Sequence, residues 1–155
     1  VEVGEELWTS PIYPLFDVQS GDVDGDGSDE IVLGIWSDEA YGGEPAPRRT
    51  VWVMRWNGKR LEPVWRGSAL ARPLDAFAIT DLDGADGSEL LAAERTSETC
   101  LVTAYRWNGF GFTAVDVTPR ACEERLEGGT DRACVRGDDS TRCFALRNGE
   151  PHELR

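Results

Sequence analysis

The chain has 155 residues, 40% of them apolar, which suits one core of ordinary size and a single domain over residues 1–155. Its 29 acidic residues against 16 basic ones leave a net charge of −13, which repels phosphate backbones and anionic lipid and so excludes nucleic acid as a partner. No stretch is long enough for direct membrane insertion, no secretory signal stands at the start, and the lack of an initiator Met points to processing or excision.

In chain order, the first predicted strand of a complete unit is Phe16–Ser20. It runs into Asp-Val-Asp-Gly-Asp-Gly-Ser-Asp-Glu at Asp22–Glu30, five carboxylates in nine residues. Such a cluster repels itself unless a cation sits in it. Short carboxylates on alternate positions, joined by glycines, suit a hard ion that takes six to eight oxygens, calcium before magnesium. The expected ligands are the side chains of Asp22, Asp24, Asp26 and Glu30 with the Ser28 carbonyl, while Asp29 points away. An EF-hand is excluded, because its closing Glu would fall on Leu33 and the next residues, Glu30–Trp36, read as a buried β-branched strand.

The connection Trp36–Arg49 is long and carries Trp36, Tyr41, two Gly, two Pro and the pair Arg48-Arg49, which marks it as a candidate binding loop. Strands at Thr50–Asn57 and Lys59–Arg66 then flank Asn57-Gly58, a strong hairpin signal. The same order returns in a second unit, with strands at Asp75–Thr80, Glu89–Arg95, Thr99–Trp107 and Phe110–Val117 around Asn108-Gly109. Asp81, Asp83 and Glu89 each follow Asp22, Asp24 and Glu30 by 59 residues. Ala85 stands where Asp26 would recur and Asp86 arrives one position late, so Asp81, Asp83, Asp86 and Glu89 form a second, weaker candidate site. The Trp residues fall mostly inside strands, where they read as packing between sheets.

Beyond the second unit, Glu123–Leu126 suits one short helical turn at most, and Ala133–Arg136 with Arg142–Arg147 reads as a hairpin. The N-terminal Glu5–Trp8 resembles the returning strand Glu62–Trp65 and is a candidate to close this partial third unit. Four cysteines without a metal-like CxxC spacing indicate two disulfides in an oxidising compartment. Three pairings are open, and Cys134–Cys143 with Cys100–Cys122 is preferred, the first across the hairpin and the second anchoring the loop after unit two. Arg136-Gly137-Asp138, an integrin-recognised tripeptide that often arises by chance, lies in that hairpin and reads as ordinary turn chemistry. The one histidine, His152, lies near the end, so no His-based triad or zinc site can be built, and neither a GxSxG elbow nor a phosphate loop is present. Catalysis is not expected.

Phe16–Gly34, FDVQSGDVDGDGSDEIVLG, resembles one unit of the FG-GAP or VCBS-type repeat of integrin-α-like β-propellers, matching at Asp22, Asp24, Asp26, Gly27 and Glu30. The resemblance implies a calcium loop between two strands of a blade, an extracellular setting (secreted, periplasmic or cell-surface) and binding, such as adhesion, in place of catalysis. The expected fold is all-β: propeller-like four-stranded blades, two full (about residues 14–66 and 74–117) and a partial, disulfide-stapled third (about residues 118–155). A closed ring usually needs about four to eight blades, so an open or partial propeller is expected, with an oligomer or larger complex covering its sheet edges. The expected function is recognition of a protein or glycan through calcium-rigidified loops. The alternative is an accessory subunit of a larger extracellular assembly or a non-catalytic domain of a secreted enzyme.

Overall fold

A computed structural model describes residues 13–67, 70–122, 125–128, 133–136, 141–147 and 150–154. They are all-β, arranged as three four-stranded antiparallel sheets in which each strand pairs with its neighbours in the chain. The first sheet holds β1 (Leu15–Gly21), β2 (Glu30–Ser37), β3 (Arg48–Trp56) and β4 (Leu61–Arg66). The second holds β5 (Leu74–Thr80), β6 (Glu89–Arg95), β7 (Cys100–Trp107) and β8 (Phe112–Arg120). The third holds β9 (Arg125–Gly128), β10 (Ala133–Arg136), β11 (Thr141–Arg147) and β12 (Glu150–Leu154). The sheets do not close on one another, which makes an open, propeller-like stack.

The first strand of each sheet lies innermost, with β1 and β9 both against β5. Period-two alternation sends one set of side chains to each face. Val32 and Val51 of the first sheet meet Phe77, Ile79, Leu90 and Tyr105 of the second in the main core. Ala78, Leu91, Val102 and Ala104 point the other way, where Leu126 of β9 packs on them. Leu33, Ile35 and Met54 gather with Tyr13 and Trp52 on the outer face of the first sheet. The sheets approach so closely at Gly34 that a Cβ there would stand 2.7–2.8 Å from the Phe16 and Phe77 rings, so only glycine fits. Gln19 ties the inner strands directly: its amide donates to the Phe77 carbonyl (2.9 Å) and accepts the Ile79 N–H (2.8 Å). One side chain thus satisfies the facing backbone groups of β5 as a neighbouring strand would.

Two expectations change. The C-terminal unit is a four-stranded sheet, not a hairpin, because Arg125–Gly128 forms β9 where one short helical turn at most was allowed for and Glu150–Leu154 adds β12. A four-residue strand is too short to show periodicity. The Asn-Gly turns are also wider than a two-residue hairpin: Trp56 pairs with Leu61, the Asn57 N–H donates to the Arg60 carbonyl (3.1 Å), and the Asn57 Oδ1 accepts the Lys59 and Arg60 N–H groups. Asn108–Gly111 repeats this closure, which moves the starts of β4 and β8 past the residues expected. The candidate closing strand Glu5–Trp8, and Gly137 and Asp138 of the Arg-Gly-Asp tripeptide, lie outside the described residues. Both preferred disulfides are present, Cys100–Cys122 and Cys134–Cys143, the second joining directly opposed residues of β10 and β11. No helix among the described residues is long and apolar enough to cross a membrane.

Candidate functional site

The two acidic loops connect β1 to β2 and β5 to β6, so each is held at both ends by an antiparallel pair. In the first, carboxylate oxygens of Asp22, Asp24 and Glu30 lie within 4.8 Å of one another. The loop organises itself around Asp22, whose carboxylate accepts the N–H groups of Gly25 (2.8 Å), Asp26 (3.0 Å) and Gly27 (2.9 Å). Gly25 and Gly27 have φ of 77° and 87°, left-handed backbone that other residues enter only under strain. Asp26 does not converge with the other three acids: its Oδ1 accepts the Ser28 N–H (2.9 Å) at the rim. Glu30 is fully buried, and its Oε2 accepts the Val23 N–H (3.0 Å).

The second loop copies this frame. Asp81, Asp83 and Glu89 bring carboxylate oxygens within the same 4.8 Å, and buried Glu89 accepts the Leu82 N–H (3.0 Å) as Glu30 does Val23. Asp86 is not drawn into the cluster. The Asp86-Gly87 peptide instead packs against the first loop, where a Cβ on Gly25 would stand 3.3 Å from it. The two loops therefore abut at one end of the stack.

An arginine, unforeseen in the sequence, reaches into each cluster. Arg55 of β3 donates to Glu30 Oε1 through Nε (3.0 Å) and Nη2 (2.8 Å), bonds Asp24, and lies 3.5 Å from Asp26. Arg106 of β7 does the same with Glu89 (3.1 and 2.8 Å) and Asp83. These hydrogen bonds, to Glu30 and then Asp24 in one loop and to Glu89 in the other, push each guanidinium pKa further up. A buried carboxylate requires such a partner or a cation. The signal was in the chain, since both arginines stand immediately before Trp-Asn-Gly. Three converging hard oxygens per loop fit a hard cation, which Asp22, Asp24 and Glu30, or Asp81, Asp83 and Glu89, would hold.

The long β2–β3 connection lies at the far end of the first sheet, about 20 Å from the acidic loop at ~3.3 Å per residue. It borders a cleft of about 620 Å³ lined by Trp36, Tyr41 and Arg48, with Trp52 and Arg66 from the outer sheet face. Arg49, expected in this binding loop, turns inward: it stacks on Phe16 and Trp36 and donates to the Asp75 carbonyl, bridging the first two sheets. No protein-family model matches the chain, and neither does any curated protein or solved structure.

Proposed function

We propose that this chain is a calcium-binding, non-catalytic recognition module of the FG-GAP or VCBS type, working outside the cell or at its surface. The observation that carries the reading is the twice-built cluster of three carboxylates, each on the same strand–loop–strand frame with one fully buried Glu. Calcium there joins both ends of a loop and so stiffens one end of the stack. Two disulfides favour an oxidising compartment.

Calcium that binds the folded state alone raises stability by mass action, about 2.7 kcal/mol at a hundredfold excess over Kd, or roughly 5–10 °C in melting temperature for this size. Asp24→Ala with Asp26→Ala loses most of that rise, and Asp83→Ala loses little. Wild-type melting that ignores both calcium and EDTA sinks the reading.

A second reading has its own support. Arg55 and Arg106 already place one positive charge in each cluster, and arginine-locked loops suit a metal-independent accessory subunit docked in a larger assembly. Under it, Arg55→Gln lowers stability equally with and without calcium.

A further inference from the structure

In a chain this acidic a guanidinium finds a carboxylate easily. Among the arginines whose side chains are described, all but three lie within ion-pair distance of one. The three are Arg48, Arg49 and Arg66, all on the first sheet and each stacked on an aromatic ring. Arg48 lies 5.4 Å from the Tyr41 ring centre, Arg49 4.7 Å from that of Trp36, and Arg66 4.8 Å from that of Trp52. Arg49 is used between the sheets. Arg48 and Arg66 line the cleft at the far end of the first sheet.

Arg48 is only 5% exposed. Its Nε donates to the Glu39 carbonyl (2.9 Å), and among the described residues its two terminal nitrogens have no hydrogen-bond acceptor. Glu44 feels the charge of Arg48 without making an ion pair with it, and a buried guanidinium whose outer fork makes no hydrogen bond is shaped for a planar, bidentate carboxylate. The cleft, at about 620 Å³, is within the range of small-ligand sites. It also presents Asp38 and Glu39, which repel a second acidic group but accept from neutral hydroxyls. The complementary ligand therefore carries one carboxylate beside several hydroxyls on a compact ring that can lie against Tyr41, which is 49% exposed. We propose that this cleft binds a uronic-acid residue of a saccharide, its carboxylate on Arg48 and Arg66. An acidic peptide or a long polyuronate meets Asp38, Glu39 and the overall charge of −13 instead.

The second sheet shows that the cleft is an addition to the frame. Thr99 stands where the first unit has Arg48, Thr103 replaces Trp52, Val117 replaces Arg66, and a short Thr96–Thr99 turn replaces the long connection.

This inference rests on the recognition role proposed above but not on calcium. Its test is calorimetric titration of the whole chain with the methyl glycoside of galacturonic acid, which carries one carboxylate, and with the neutral methyl ester of the same sugar. The acid binds at least tenfold tighter than the ester, and the difference shrinks as salt rises. Arg66→Gln, at an exposed position, costs the acid at least fivefold, narrows its advantage over the ester and leaves the calcium-dependent melt unchanged. Tyr41→Ala weakens both sugars. Equal or absent binding of the two sugars overturns the proposal, as does tighter binding of a Glu-rich hexapeptide. So does a doubled solution mass that Arg66→Gln reverses, which would assign the face to a second copy. If the acid fails while calcium still raises the melting temperature, only the ligand class falls. If calcium has no effect while the acid binds, only the metal reading falls.

Discussion

The first and second sheets repeat one another down to their irregularities. Bulges fall between Leu15 and Asp17 and between Leu74 and Ala76, then between Val53 and Met54 and between Ala104 and Tyr105. The offset between matching residues is 59 in the first pair and 51 in the second, so unit one carries eight additional residues between β2 and β3. The acidic-loop end of each sheet is thus held constant, arginine included, while the opposite end varies. That division separates a constant end from a variable one, because strands limit what a sheet can change and connections do not.

The sharpest difference inside the frame lies at one core position. Where unit one has Ile35, unit two has Glu94, fully buried and holding Thr103 (2.5 Å), Tyr105 (2.6 Å) and Arg72 (3.2 Å). Through Arg72, and through the Ala71 N–H on the Tyr105 hydroxyl (2.9 Å), this network fastens the crossover between the sheets. Glu94→Ala leaves one cation and two hydroxyls short of a partner and is expected to cost about 3–5 kcal/mol, against about 2–4 kcal/mol for the simple cavity of Ile35→Ala. Urea midpoints measure both, and a loss below about 1 kcal/mol at Glu94 would show that the network is idle.

Tyr105 gives the same network a pH signature that unit one lacks. Burial first, then the hydrogen bond to Glu94, push its phenol pKa well above the ordinary ~10. The unfolded chain releases this proton near pH 10 while the folded chain retains it. This contribution to stability is therefore complete below about pH 10 and is lost as the pH climbs toward the folded value. Tyr105→Phe costs about 1 kcal/mol at neutral pH and flattens the alkaline decline. Stability curves that fall in parallel for wild type and variant between pH 10 and 12 would refute it.

The acidic loops, the paired Asn-Gly hairpins and the two disulfides were legible because each rests on local chemistry: self-repelling carboxylates, residues that tolerate turns, thiols that must pair. The third sheet was half legible, since β9 and β12 are held by partners on β10 and β11 and too short to carry a pattern of their own. The arginines in the loops were hidden for a different reason. Arg55 lies 25 residues from Glu30, and only the β2–β3 register, Ile31 opposite Met54, brings them together. The inward turn of Arg49 and the outward cleft of Arg48 follow from strand parity at β3, which the sequence places only once its first residue is known.

The smallest expected effect tests the constant end. Arg55 faces three carboxylates, Asp24, Asp26 and Glu30, whereas Arg106 faces two, Asp83 and Glu89, because Ala85 stands in place of Asp26. Both side chains are about 40% exposed, so solvent screens part of each arginine's hold on its loop, and the two variants differ by about 1 kcal/mol or less in EDTA. Removing Arg55 leaves the more crowded set of charges, and a cation has more to gain by replacing it. Arg55→Gln should therefore lose slightly more than Arg106→Gln in EDTA at low salt and recover more in calcium, measured as paired melting temperatures. If both variants lose and recover equally, the exchange of Asp26 for Ala85 has no bearing on metal, and the two loops are equivalent despite their sequences.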